Sequence, residues 1–146
     1  MTEKKEKRAE RLVKFRKLER DRASRALENA RAARESAQHA VEIQKEMVET
    51  EAERVNSSTK PTSPEAYQLA LACVEATRFD LQTKLEILKN AEKQLNSKSK
   101  ALLVTHRKVQ QMEALKNKAV SDAKTIEKRK EQLDIDDLAA NREARQ

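Results

Sequence analysis

Apolar positions recur every seven residues along the second half of the chain. Tyr67, Val74, Leu81, Leu88, Leu95, Leu102 and Val109 form one row without a slip. Three positions on lie Ala70, Thr77, Lys84, Ala91, Lys98, Thr105 and Met112, and that register continues through Ala119, Ile126 and Leu133. Two rows spaced this way lie side by side on a helix and predict a left-handed coiled-coil seam. Leu71 and Leu85, next to the second row, are expected to widen the stripe.

The first half answers with small residues. Ala26, Ala33, Ala40 and Met47 make one seven-residue row, and Ala23, Ala30 and Ala37 make another. Between the halves stands Asn56-Ser57-Ser58-Thr59-Lys60-Pro61-Thr62-Ser63-Pro64, polar and holding both prolines. Ser63 reads as a helix N-cap, Pro64 as the first helical residue and Glu65 as a first-turn acid. The pattern predicts an all-α, antiparallel two-helix coiled-coil hairpin in a single domain, 1–146. Helix one is expected over about 3–55, the loop over 56–63, a longer helix two over about 64–138, and a tail over 139–146.

With the loop centred near residue 60, facing positions sum to about 120. The alanine tract 23–40 then lies opposite 80–97, where Leu81, Leu88 and Leu95 interdigitate with it. The fit favours a hairpin within one chain, although heptad rows also pair between chains. The same register leaves roughly 120–146 without an internal partner. Ile126, Leu133, Ile135 and Leu138 lie on that overhang, which reads either as a docking stripe or as a frayed tail.

Composition narrows the function. Of 146 residues, 39% are charged, none is glycine and two are proline. No glycine-rich loop exists to cradle a phosphate, which removes Rossmann and P-loop readings. No stretch approaches the ~20 apolar residues of a membrane helix, and the charged N-terminus does not read as a signal peptide. Cys73 is the single cysteine and is expected as a small buried thiol at the seam edge, in a reducing cytoplasm. His39 and His106 form no ligand-spaced cluster with it, so catalytic residues, metal and cofactors are all expected to be absent.

Charge is unevenly placed. Residues 1–25 hold 11 basic against 5 acidic side chains, an excess of +6 within a chain total of +7. That excess falls where both termini meet. Its partner is an acidic protein surface, an anionic membrane or nucleic acid. Nucleic acid is disfavoured because no aromatic platforms or glycine–arginine repeats accompany the cations. Acidic residues break the membrane-facing stripe of Leu12, Val13, Phe15 and Leu18, so direct membrane insertion is not expected.

The segment KRAERLVKFRKLERDRASRALENARAA (Lys7–Ala33) resembles the N-terminal stretch of the YscO/FliJ family, the stalk proteins of type III secretion and flagellar export. The ending KRKEQLDIDDLAANREARQ (Lys128–Gln146) is similar to that of the YscO, or injectisome, branch, whose systems serve virulence. The resemblance implies a non-enzymatic, cytoplasmic stalk peripheral to the inner-membrane apparatus. Its terminal end would dock into the hexameric secretion ATPase, and it would also reach the export-gate membrane protein and free substrate chaperones. Carried over by position, Arg8, Arg11, Lys14, Phe15, Leu18 and Arg22 with Ile126, Leu133, Ile135 and Leu138 would face the ATPase. Ala70, Val74, Thr77 and Leu81 would face the gate. There the flagellar pattern's aromatic and histidine are replaced by Ala70 and Leu81, which leaves hairpin core as the alternative for those four. A basic nucleic-acid-binding coiled coil and a generic scaffold remain the competing functions.

Overall fold

The computed structural model describes residues 2–57 and 63–145. All of these except Ser63 are helical, in α1 (Thr2–Ser57) and α2 (Pro64–Arg145). The expected loop falls partly on 58–62, outside the described residues, while Asn56 and Ser57 still belong to α1. Ser63 caps α2: the Ala66 amide donates to its Oγ at 3.1 Å and the Tyr67 amide to its carbonyl at 3.2 Å.

Helix α2 does not stop at Leu138 but runs through Arg145. Its last seven residues, Ala139-Ala140-Asn141-Arg142-Glu143-Ala144-Arg145, contain no proline or glycine to end it. Arg142 and Arg145 place positive charge in the last turn, where it suits the helix dipole.

The contacts divide into two compact units, Met1–Ala23 with Leu102–Gln146 and Ser24–Ala101. In the second unit the helices are antiparallel, since Arg34 pairs with Glu92 at 3.8 Å while Gln44, further along α1, meets Thr77, earlier in α2. In the first unit Lys17 pairs with Glu113 at 3.5 Å. The residue numbers of Arg34–Glu92, Gln44–Thr77 and Gln44–Lys84 sum to 126, 121 and 128, and those of Lys17–Glu113 to 130. The register is therefore displaced from the expected 120 by about five to ten residues, roughly one and a half to three helical turns. Leu88 and Leu95 still fall opposite the alanine tract after this shift.

The α2 rows lie in the seam as the heptads require. Val74 and Val109 are buried, and Ala70, Thr77, Leu81, Lys84, Leu88, Ala91, Leu95, Leu102, Thr105 and Met112 are half-buried. Tyr67 and Lys98 stay exposed. Leu71 and Leu85 do not widen the stripe; both sit on its flank, about two-fifths exposed.

On α1 only one expected row is correct. Ala37 is buried and Ala23 and Ala30 are half-buried; in the other row Ala26 and Ala40 are half-buried at the seam edge, but Ala33 and Met47 are exposed. The second seam row is Val13, Arg20, Leu27, Arg34, Val41, Val48 and Val55, of which Val13, Leu27 and Val41 are buried. Arg20 and Arg34 occupy it by laying their aliphatic stems along the groove while their charged heads reach water.

Among the described residues one buried side chain is polar. Gln44 is 3% exposed; its Nε2 donates to the Thr77 carbonyl at 3.0 Å and its Oε1 accepts from Lys84 Nζ at 3.0 Å. Both ends of the amide are thus satisfied, as burial demands. The layer defines one register, because a slip in either direction would strand the amide.

Candidate protein-docking site

The expected chemistry-bearing residues are solvated. His39 is exposed, and His106 lies 3.4 Å from Gln110 on its own helix. Cys73 is an exposed free thiol, not the buried one expected, because it sits on the seam flank where no large side chain covers it. Among the described residues no His/Cys/Asp/Glu group could hold a metal ion. Nor is any described helix long and apolar enough to cross a membrane.

What the first unit does build is a one-sided cationic surface. The seam side of α1 is fixed by buried Val13 with half-buried Glu6, Ala9, Arg16, Arg20 and Ala23. At 100° per residue, an arc of about 120° opposite that seam holds eight side chains. They are Lys4, Lys7, Arg8, Arg11, Lys14, Phe15, Leu18 and Arg22, all exposed. Six are cations, two are large apolar residues and none is acidic. Glu6 is half-buried beside the seam and Glu19 is held on its flank by Arg16 at 3.0 Å, while Glu3, Glu10 and Asp21 are exposed just outside the arc. Phe15 is 53% and Leu18 58% exposed, and the Arg16 guanidinium lies 5.8 Å from the Phe15 ring centre. All six α1 positions expected to face an ATPase lie in this arc.

The α2 positions are less united. Glu3 and Glu6 line a shallow hollow with Ala123, Ile126, Glu127 and Lys130, so Ile126 has the first turn of α1 beside it. The overhang therefore begins past about residue 130, not 120, which follows from the register shift. Leu133 and Ile126 share the seam side of α2. Leu138 and Ile135 project roughly 120° and 180° away from Ile126, so the four form no single stripe. All four are exposed, from 45% at Ile126 to 65% at Leu138.

The positions expected to face a gate lie elsewhere. Val74 is 6% exposed, Ala70, Thr77 and Leu81 are half-buried, and all four point into the seam. Sequence reasoning missed Val13, Leu27 and Val41, whose seven-residue row is interrupted by Arg20 and Arg34, and Gln44, which continues the row of Ala30 and Ala37.

A surface of cations with two exposed apolar residues and no acid is suited to protein docking, and the sequence comparison says in which setting. The family described as Flagellar FliJ protein matches residues 5–146. The chain belongs to the FliJ family. Its setting is therefore flagellar or type III export. No curated protein and no solved structure matches the chain.

Proposed function

We propose that this FliJ-family chain is a non-enzymatic stalk that docks its terminal end into the ring of a hexameric export ATPase and links that ring to the export gate. The supporting observation is the arc of six cations with Phe15 and Leu18, free of acid, on a protein of an export family. Cations of one sign steer approach to an acidic ring lining and set the association rate. Phe15, Leu18 and the exposed Leu133, Ile135 and Leu138 of the overhang supply the desolvated contacts that slow dissociation. No covalent step is involved; docking biases the partner's hydrolysis through differential affinity for its states.

At the gate, Ala70, Val74, Thr77 and Leu81 are engaged with α1, so contact at that level of α2 falls to the exposed flank, Leu71 and Arg78. The ends of the chain favour the injectisome branch. Free substrate chaperones remain a further partner class in this reading, which places the protein in the cytoplasm beside the inner-membrane apparatus.

The test uses the purified ATPase and the full chain. Arg11→Glu, Lys14→Glu and Arg22→Glu together should slow association at least about tenfold at low salt and flatten its salt dependence. A chain ending at Lys130 retains the turns that α1 touches and should lose stimulation of hydrolysis. If both variants bind and stimulate like the full chain, the terminal end is not the docking surface.

A further inference from the structure

The second unit carries a face that the docking reading does not use. The pair Arg34–Glu92 marks one flank of its seam, and that flank is strongly charged: Glu28, Glu35, Glu42 and Glu49 recur there every seven residues. The other flank differs. It comprises eight positions on α1, every third or fourth residue from Ala26 to Thr50, and ten on α2, from Leu69 to Ala101. Asp80 is the single charge among these eighteen. In a chain with 39% charged residues, about seven would be expected by composition alone.

The face is also apolar where it matters. Ile43, Met47, Ile87 and Leu69 are 44%, 49%, 54% and 68% exposed. The register places Ile87 at the height of Ala40, so Ile43 and Ile87 gather near the middle of the face, with Met47 about 10 Å further along at the height of Asp80. Asparagine, glutamine, serine and threonine flank them on the face, and Glu46 and Glu51 border the hollow at Ile43 and Met47. An apolar centre with a polar rim is the anatomy of a protein interface.

We infer that this face packs against the same face of a second copy, joining two hairpins into a four-helix arrangement about a two-fold axis near Ile87. Charge selects this occupant. A partner of either sign gains nothing from an uncharged surface, whereas two copies of this unit, each with 12 basic and 12 acidic side chains, meet here without like charges opposed. Alanines at 33 and 40 let the helices approach closely. Area agrees as well: about 25 residues at 1.5 Å rise and a two-helix width near 19 Å give roughly 700 Å² per copy. A standard interface takes about 800 Å² from each partner.

Sedimentation equilibrium of the full chain tests this. The mass should rise from 16.7 kDa toward twice that value over tens of micromolar. Ala33→Glu with Ala40→Glu places charge on the face and should weaken association at least about 100-fold. Ile87→Asp, on the other helix, should do the same, with helical circular dichroism kept in both. Glu35→Lys with Glu42→Lys, on the charged flank, should leave the dimer intact. A mass of 16.7 kDa at every concentration up to about 0.5 mM overturns the inference, as does a dimer that none of the face variants disturbs. ATPase binding, carried by residues 4–22, should survive the face variants, so failure of one reading is distinguishable from failure of the other.

Discussion

Truncating Gln44 to alanine removes two hydrogen bonds from the only buried polar side chain identified in the seam. The bond from Lys84 is charge-assisted, worth up to about 3 kcal/mol, but Lys84 is half-buried and regains water, so the low end of about 1.5 applies. The bond to the Thr77 carbonyl adds about 1 kcal/mol, and the lost side-chain methylene about 0.8. The expected cost is then roughly 3 kcal/mol, a shift in the urea midpoint of about 1–2 M. A double-mutant cycle with Lys84→Ala should return a coupling of about 1 kcal/mol or more. Gln44→Leu fills the space and should lie within about 1 kcal/mol of the parent, yet loosen the register. A disulfide reporter reads that loss. With Cys73→Ser as background, Arg34→Cys and Glu92→Cys should cross-link in the parent sequence. Arg34→Cys with Ser99→Cys, one heptad away, should cross-link only once Gln44 is leucine. A cost below about 0.5 kcal/mol for Gln44→Ala, with no coupling to Lys84, would refute the polar layer as a register device.

Three smaller perturbations probe the same structure. Val41→Ala and Val109→Ala, at 3% and 2% exposure, should each cost roughly 2 kcal/mol by chemical denaturation, whereas half-buried Leu88→Ala and Leu95→Ala should fall nearer about 1–2 than the full burial value. Ser63→Ala should cost about 1 kcal/mol through loss of the Ala66 cap, with Ser63→Asp restoring most of it in thermal melts. Lys17→Ala with Glu113→Ala should change stability by less than about 0.5 kcal/mol, because both side chains are nearly half exposed; a larger loss would show that the pair is shielded.

The α2 seam was legible because its first row is uninterrupted: every seventh residue from 67 to 109 is apolar. On α1 the true row alternates Val13, Leu27 and Val41 with Arg20 and Arg34, and amphipathic stems do not register as core in a hydrophobic pattern. The neighbouring alanines at 26, 33 and 40 imitated a seam because alanine fits any helix face. Gln44 carried no signal, since a buried amide is recognised by its partners rather than its type. The register missed by about two turns because it was taken from the loop centre, while the packed rows and the Gln44 layer set it. The end of α2 was illegible for a plainer reason: nothing in Ala139–Arg145 terminates a helix, and the large apolar residues merely end at Leu138. For the docking site, the six α1 positions came from resemblance, and the helical arc that unites them then followed from which side faces the seam.

That arc is not what stability alone would produce. Lys4 lies four residues before Arg8 and three before Lys7, and Arg11 lies within four of Lys7, Arg8 and Lys14. Like charges at these spacings repel, by about 0.2–0.5 kcal/mol a pair, so the five pairs together cost on the order of 1–2 kcal/mol at low salt. A solvated helix lowers that cost by mixing signs on every face. Here no acid lies within the arc: Glu6 and Glu19 are half-buried beside the seam, and exposed Glu3 and Glu10 at the arc's border offset only part of the repulsion, at Lys7 and Lys14. The seam beside it is thin, with Val13 buried but Arg16 and Arg20 filling the next layers, so the repulsion falls on a part of the hairpin with little stability in reserve. An anionic surface relieves it, and binding there converts a standing repulsion into affinity. The segregation of charge therefore makes free energy available at the outer arc, not at the seam, to an anionic surface that meets it.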